Sequence, residues 1–326
     1  MTVLAWPSAA FARLFALVAS VVLLTSRVML LVHEFGGHAA PARLFGGRVT
    51  GWYLFLFAGG RVSYRVAQLD VGRRLVLTLG GIALELVIGA VALLLARRRR
   101  ARPVVAFCCL SVGTVLVGHA AVYLARGVHY GFGDGAFLAQ RLGEARVTVV
   151  VAASALAVGV AMAGGRRLAR LPAALFGGTR RRAAGATLLV FACAALLHGA
   201  LAFAEIRWFP DPAWVAVMED ASVATARAAL AQRIADAKRR GEPIPSREEQ
   251  ERMMEALERA RRPWPLDPLL ATAVVAGLVA GVLRGARDSR EPSAATLPTW
   301  RTIGGVFGAL VVMIGLILAL RQRRWS

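Results

Sequence analysis

The chain has 326 residues, of which 57% are hydrophobic, and its mean hydropathy is +0.59. A soluble domain is usually about 45–50% apolar, so this composition indicates a protein that sits in a lipid bilayer. Basic residues number 40 against 19 acidic ones, a formal net charge of +21. Nucleic-acid-binding domains can be this basic but not also this apolar, so we expect no nucleic acid partner. The three cysteines all lie in apolar runs, which excludes a disulfide scaffold.

Seven apolar stretches are long enough to cross a bilayer as helices, which takes about 20 residues each. They cover residues 11–37, 73–96, 103–126, 147–165, 185–204, 266–284 and 302–320. The first stretch lacks a small-residue cleavage site, so we expect it to be a span and not a signal peptide. The sequence therefore predicts an all-α polytopic membrane protein with about seven transmembrane helices.

A short non-helical segment separates the first two spans. Residues 46–66 contain two Gly-Gly-Arg-Val repeats around an aromatic and β-branched run, which predicts a small β-hairpin at the membrane surface. We divide the chain into four parts on this basis. They are a core of three spans and the hairpin at 1–150, additional spans at 151–204, a soluble insertion at 205–265, and two spans with a basic tail at 266–326.

The insertion at 205–265 is the only long polar stretch of the sequence. It contains an alanine-rich segment at 219–240 and a charged segment at 246–262, bounded by prolines, so we expect two helices. It is also the part of the chain that could bind a protein partner.

Clusters of arginine residues in the loops between spans indicate how the chain is oriented in the membrane. With seven spans, Arg97–Arg100, Arg166–Arg170 and Arg284–Arg290 fall on one side, which the positive-inside rule makes cytoplasmic, with the amino terminus inside. The arginines of the hairpin region and of the tail fall on the other side. The bias is therefore modest, and the orientation stays open.

The most polar motif stands at the end of the first span, where His33 and Glu34 are followed by His38. Ionisable residues within a span are costly, so such a cluster indicates a functional site. Two neutral imidazoles can hold zinc while a carboxylate takes a proton from the activated water. We therefore expect His33 and His38 as metal ligands and Glu34 as the general base. The alternative is a polar cluster at a helix end with no metal.

The spacing of this motif is one residue longer than H-E-x-x-H, in which the two ligands lie on one helical face. On a regular α-helix, His33 and His38 would be about 140° apart and could not share an ion. We predict that the helix is widened around Phe35 to Gly37, or ends before His38. A π-bulge absorbs one residue, and two glycines tolerate the irregular backbone.

A zinc hydrolase needs a third ligand, and two carboxylates compete for this role. Asp134 lies in a Gly-Asp-Gly break after the third span, where unwound backbone can bring a carboxylate into the membrane. It could also simply cap the helix that follows. Glu85, in the middle of the second span, is the competing ligand.

Four other polar residues in or near the spans have open roles. Arg27 could balance Glu34 or Glu85, snorkel to the surface, or mark an irregularity of the helix. His119 either supports the site or is a core histidine. His129 could orient Asp134 or stabilise a tetrahedral oxyanion. His198, at the end of a span, is expected at the interface.

Several of these features together resemble the site-2 protease family of intramembrane zinc metalloproteases, particularly its small bacterial members. They are the His-Glu motif at the end of a span, Gly46-Gly47-Arg48-Val49 with a hairpin, the Gly80-Gly81 turn, and the Asp134-Gly135 pair. The resemblance covers about residues 11–150. It implies zinc bound by His33, His38 and Asp134, Glu34 as base, and a bacterial cytoplasmic membrane. It also implies that the hairpin presents the substrate as an added strand.

Three departures from the family pattern accompany this resemblance. The His motif has one extra residue, Glu85 stands where the family has an Asn, and the Asp134-Gly135 pair lacks an Asn-Pro-rich run before it. We expect a zinc-dependent endopeptidase that cleaves membrane-embedded or membrane-adjacent peptides. The alternative is a catalytically degenerate member that acts as a membrane scaffold or regulator. A third possibility is a transporter whose ionisable groups bind an ion. Internal repeats would favour it, and we find none between the two halves of the sequence.

Overall fold

The computed structural model shows an all-α polytopic membrane protein. It describes residues 8–67, 69–98, 102–169, 180–209, 221–241, 243–244, 246–252, 265–288 and 298–324. Within these ranges, seven helical segments are long and apolar enough to cross a membrane. They are Ala9–Leu44, Val71–Arg98, Pro103–Tyr130, Gly133–Leu168, Ala184–Trp208, Leu266–Arg287 and Trp300–Leu320. Each overlaps a predicted span, so the seven-span prediction is confirmed, although the first and fourth segments are longer than predicted.

The α-helices are numbered in chain order. They are α1 (Ser8–Leu31), α2 (Ala40–Leu44), α3 (Val71–Arg98), α4 (Pro103–Tyr130), α5 (Ala136–Leu142), α6 (Arg146–Leu168), α7 (Arg180–Trp208), α8 (Ala221–Arg240), α9 (Leu266–Asp288) and α10 (Trp300–Leu320). Helix α1 continues through a π-helix, Val32–Ala39, into α2. Two 3-10 turns, Gly133–Gly135 and Gly143–Ala145, flank α5.

The insertion is described only in part. Helix α8 agrees with the first helix expected there. The second is helical over 247–252, and most of its remaining residues lie outside the described ranges. The preceding helix α7 runs four residues past the predicted end of its span, from 204 to Trp208, and its Glu205 is buried.

The helices pack through apolar faces around α1 and α4. A core cluster of buried side chains joins α1, α4, α6, α7 and α10, with Leu17, Phe107, Leu168, Val190 and Ile303 among its members. Helix α4 also packs along α3 and α6, and α6 packs along α9. The later spans are therefore packed directly on the first three.

A three-stranded antiparallel sheet accompanies the helices, with the order β2-β1-β3. Strands β1 (Arg48–Leu54) and β2 (Gly60–Arg65) form the hairpin that the sequence predicts at 46–66. Strand β3 (Gln322–Arg324) lies in the predicted basic tail and pairs with β1, which the sequence did not indicate. Since β1 is central, β2 has one edge that no described strand covers.

In a chain with seven spans, the loop after the first span and the tail after the last lie on the same side of the membrane. The sheet agrees with this arrangement, because it brings the hairpin and the tail together. At the junction, the Trp52 indole Nε1 donates a hydrogen bond to the Leu320 carbonyl at 2.7 Å. The turn of the hairpin extends to Arg27, near the midpoint of the Ala9–Leu44 segment. The hairpin is therefore packed along the first span.

Close packing of α9 on α6 generates a stability prediction. A Cβ atom on Gly281 would lie 2.1 Å from the Met162 carbonyl oxygen. Gly281→Leu should therefore separate the helices and lower the free energy of unfolding by about 1–3 kcal/mol, the usual cost of overpacking. Thermal denaturation in detergent measures this loss. Gly304→Leu in α10 is the control, because a Cβ atom there meets nothing within 4 Å among the described residues. Equal melting temperatures for the two variants would contradict the prediction.

Candidate metal centre

The His motif occupies the π-helix Val32–Ala39. A π-helix bonds each residue to one five positions away, so residues with that spacing come onto the same face. The rings of His33 and His38 are accordingly neighbours, with centroids 5.0 Å apart. The predicted widening of the helix around Phe35 to Gly37 is confirmed, and the extra residue of the motif does not separate its two histidines.

Glycines explain why the π-helix lies directly on α3. A Cβ atom on Gly37 would stand 2.3 Å from the Gly81 backbone nitrogen, and one on Gly80 would stand 2.2 Å from the Gly37 carbonyl oxygen. A Cβ atom on Gly81 would be 2.4 Å from His33 Nε2. Any larger side chain at these positions would push the two backbones apart, so the glycines fix how closely His33 approaches α3.

Asp134 reaches the histidines from the break after α4. The helix ends in left-handed backbone at Gly131, and Gly133 has a φ of 51°, a conformation that favours glycine. The carboxylate then stands with Oδ2 3.1 Å from His33 Nε2 and Oδ1 3.3 Å from His38 Nε2. The fold thus brings together the three residues expected as ligands, with one ligand atom of each within 4.8 Å of the others.

The second nitrogen of each imidazole is held by an acceptor. His38 Nδ1 donates to the Leu77 carbonyl at 2.6 Å, and a carbonyl oxygen can only accept. His33 Nδ1 is 2.9 Å from Glu85 Oε1, which accepts in the same way when Glu85 is ionised. In the neutral tautomer that these bonds select, both Nε2 atoms present a lone pair toward Asp134.

This arrangement of acceptor atoms fits a metal ion. Asp134 Oδ2 is buried and has no hydrogen bond of good geometry from the described residues. Lone pairs of two imidazoles and a carboxylate repel one another unless a cation lies among them. Two histidines and one carboxylate are the protein ligands of many catalytic zinc sites, which leave a fourth position open. The donor set is therefore suited to a divalent metal.

Glu85, the competing ligand, lies on the other side of His33. Its Oε2 is 2.7 Å from His119 Nδ1, and its own side chain is buried. The His119 ring stacks on Tyr123, with centroids 6.0 Å apart. A carboxylate behind a metal-binding imidazole orients the ring and raises its basicity. The geometry gives Glu85 this supporting position, with His119 behind it.

Glu34 lies between the metal centre and the hairpin. It is buried, and its carboxylate accepts a hydrogen bond from the Val62 backbone N–H of β2. Tyr64 of β2 is close enough that burial, together with the charges of Asp134 and Glu34, raises the pKa of its phenol. Strand β2 therefore runs beside the site. The sequence did not single out Val62 or Tyr64, because a strand pattern does not show what the strand packs on.

The other polar residues that the sequence singled out have different neighbours. Arg27 does not snorkel, since it is buried and donates to the Phe55 and Phe57 carbonyls of the hairpin turn. His129 is buried with its ring edge-on to Tyr130. His198 lies 3.5 Å from the Ser26 hydroxyl. Arg27 and His198 thus belong to the surroundings of the hairpin turn and not to the metal centre.

No family model, curated protein or solved structure matches this chain. The geometry of the metal centre and the residues of the motifs are therefore the basis for the function proposed below.

The contact between Gly81 and His33 generates a prediction about metal affinity. Gly81→Ala should displace the His33 imidazole and weaken zinc binding at least about tenfold, as when an outer partner of a ligand is lost. Competition with a chromogenic chelator measures the affinity. Gly118→Ala is the matched control, because a Cβ atom on this glycine of α4 would meet nothing within 4 Å among the described residues. An unchanged affinity in Gly81→Ala would refute the contact.

The two carboxylates should differ in their effect on the metal. Asp134→Ala removes a candidate ligand, so zinc should be lost on dialysis. Glu85→Gln removes a partner of a candidate ligand, so zinc should remain with about 10–100-fold weaker affinity. Metal analysis after dialysis compares the two, with the exposed Glu144→Gln as a control. The opposite order would make Glu85 the ligand.

Proposed function

We propose that this protein is a zinc-dependent intramembrane endopeptidase of the site-2 protease type, which cleaves membrane-embedded or membrane-adjacent peptides. The observation that carries this proposal is the convergence of His33 Nε2, His38 Nε2 and the Asp134 carboxylate within spanning helices, beside the buried carboxylate of Glu34. The resemblance in sequence supports the same activity, and a bacterial cytoplasmic membrane is the proposed location.

The residues of the centre divide the chemistry among them. His33, His38 and Asp134 would hold the zinc ion and leave a position open to water and substrate. When bound, zinc supplies a Lewis acid that lowers the pKa of a water molecule and polarises the scissile carbonyl. Glu34 takes a proton from the attacking water and delivers it to the amine nitrogen as the peptide bond breaks. The Glu85 contact keeps the His33 ring in place during this exchange.

Strand β2 provides a place for the substrate. Its outer edge lies against Glu34 at Val62, while β1 is covered on its other side by β3. An extended peptide that pairs with a free strand edge gains backbone hydrogen bonds regardless of its side chains. Such a peptide would release the Val62 N–H from Glu34 and lie beside the general base. The substrate backbone must be extended around the scissile peptide bond for its carbonyl to be attacked. Pairing with a strand edge would unwind a helical substrate into this conformation.

Metal analysis of the purified protein separates the enzyme from the scaffold alternative. The enzyme should contain about one zinc per chain, which His33→Ala removes, and a chelator should abolish cleavage until zinc is restored. A chain without metal would instead favour a membrane scaffold or regulator, in which residues 205–265 bind the partner.

The role of Glu34 can be tested without disturbing the metal. Glu34→Gln keeps the size of the side chain but cannot accept the proton, so cleavage should fall about 10²–10⁴-fold while zinc content is unchanged. The assay follows cleavage of dye-labelled transmembrane peptides in proteoliposomes. The exposed Glu144→Gln controls for loss of a negative charge. Undiminished proteolysis in Glu34→Gln would refute the mechanism.

A further inference from the structure

The turn between β1 and β2 is irregular backbone packed among spanning helices. Its amide groups bind one carboxylate, because Glu205 accepts from Leu56 N at 2.6 Å, from Phe57 N at 2.6 Å and from Ala58 N at 3.2 Å. Glu205 belongs to α7 and is buried. Non-helical backbone inside a membrane protein must have its polar groups satisfied by the protein itself. Glu205 meets this need for three consecutive N–H groups.

The carbonyl groups of the same turn bind a cation from another helix. Arg27 of α1 donates from Nη1 to the Phe55 carbonyl and from Nη2 to the Phe57 carbonyl, each at 3.0 Å. Its Nη2 also donates to the Ser26 hydroxyl at 2.8 Å. Arg27 and Glu205 thus hold the two kinds of backbone group from two different helices, and their charges compensate each other.

A third charged residue ties the carboxyl-terminal strand to this cluster. Arg321, between α10 and β3, has Nη2 3.6 Å from Glu205 Oε1, and its guanidinium lies 5.8 Å from the centre of the Tyr53 ring. Its carbonyl accepts from Leu54 N at 3.0 Å. One carboxylate on α7 is therefore in contact with the hairpin turn and with the junction that leads into β3.

The turn is directly joined to the strand that runs beside the site. Strand β2 begins at Gly60, where a Cβ atom would lie 3.0 Å from Leu30 and Leu54 side chains, and it reaches Glu34 at Val62. A displacement of the turn would be transmitted along this short strand. Hydrogen bonds with a charged partner are shorter and stronger than neutral ones, so they resist such displacement.

We propose that Glu205 and Arg27 are positioning residues, which act through the hairpin turn to set where the edge of β2 stands relative to Glu34. Helix α7 is then part of the active unit, although it lies outside the first 150 residues. The kinetic consequence rests on the proposed function, whereas the position of the turn does not.

Two independent measurements test this proposal. The first is the rate at which a maleimide labels a cysteine introduced as Ala58→Cys, in a chain whose three cysteines are replaced by alanine. The second is the set of kinetic constants of the unlabelled protein on a transmembrane peptide. Glu205→Gln should raise the labelling rate about tenfold and raise KM about tenfold, with a smaller change in kcat and no change in zinc content. Glu205→Asp, which keeps the charge, should recover part of both effects, and the exposed Glu144→Gln should have neither.

Several outcomes would overturn the proposal. Labelling and KM that stay at wild-type values in Glu205→Gln would show that the contacts do not set the position of β2. Loss of zinc in parallel with loss of activity would indicate a general structural role instead. If Glu205→Gln does not fold, Arg27→Lys is measured in its place, since lysine keeps the charge but not the two-pronged contact. If the wild-type chain cleaves no peptide, the proposed function fails, and the labelling rates alone decide whether Arg27 and Glu205 hold the turn.

Discussion

The approach of Asp134 to two imidazoles on one face of the π-helix is the interaction on which the rest of the centre depends. It requires that His33 and His38 be five residues apart and yet adjacent, which a regular α-helix does not allow. It also requires that α3 come within backbone contact of the π-helix, which Gly37 and Gly81 permit. The unusual spacing and the glycine pairs are therefore parts of one arrangement.

Burial of polar groups in a low-dielectric interior explains most of the remaining contacts. Each imidazole has its Nδ1 atom bound, one by Glu85 and one by the Leu77 carbonyl, so neither ring is free to turn away. The same rule acts at the hairpin turn, where Arg27 and Glu205 satisfy backbone groups of non-helical chain packed among the helices. A buried charge or amide without a partner would cost several kcal/mol. Such contacts occur as connected networks because every new polar partner needs one of its own.

The sheet beside the candidate metal centre draws on both halves of the chain. The candidate ligands come from the first 150 residues, and so do β1 and β2. Helix α7 holds the hairpin turn, and β3 covers the edge of β1. Residues far away in sequence therefore cover the edge of β1, whereas the edge of β2 that faces Glu34 has no described strand beside it.

The sequence by itself determined the seven spans, the hairpin, the residue types of the candidate metal centre and the widening of the helix between its histidines. These features depend on local hydropathy, on turn residues and on helical geometry, all of which are set by residues close together in the sequence. Only the tertiary structure decided that Glu85 stands behind His33, that Arg27 binds the hairpin turn, and that the basic tail forms a strand. The physical reason is that each of these contacts joins segments far apart in sequence, as do Leu56 and Glu205, whose residue numbers differ by 149. A buried charge signals that it needs a partner, but its own neighbours in the sequence do not say which partner the fold provides.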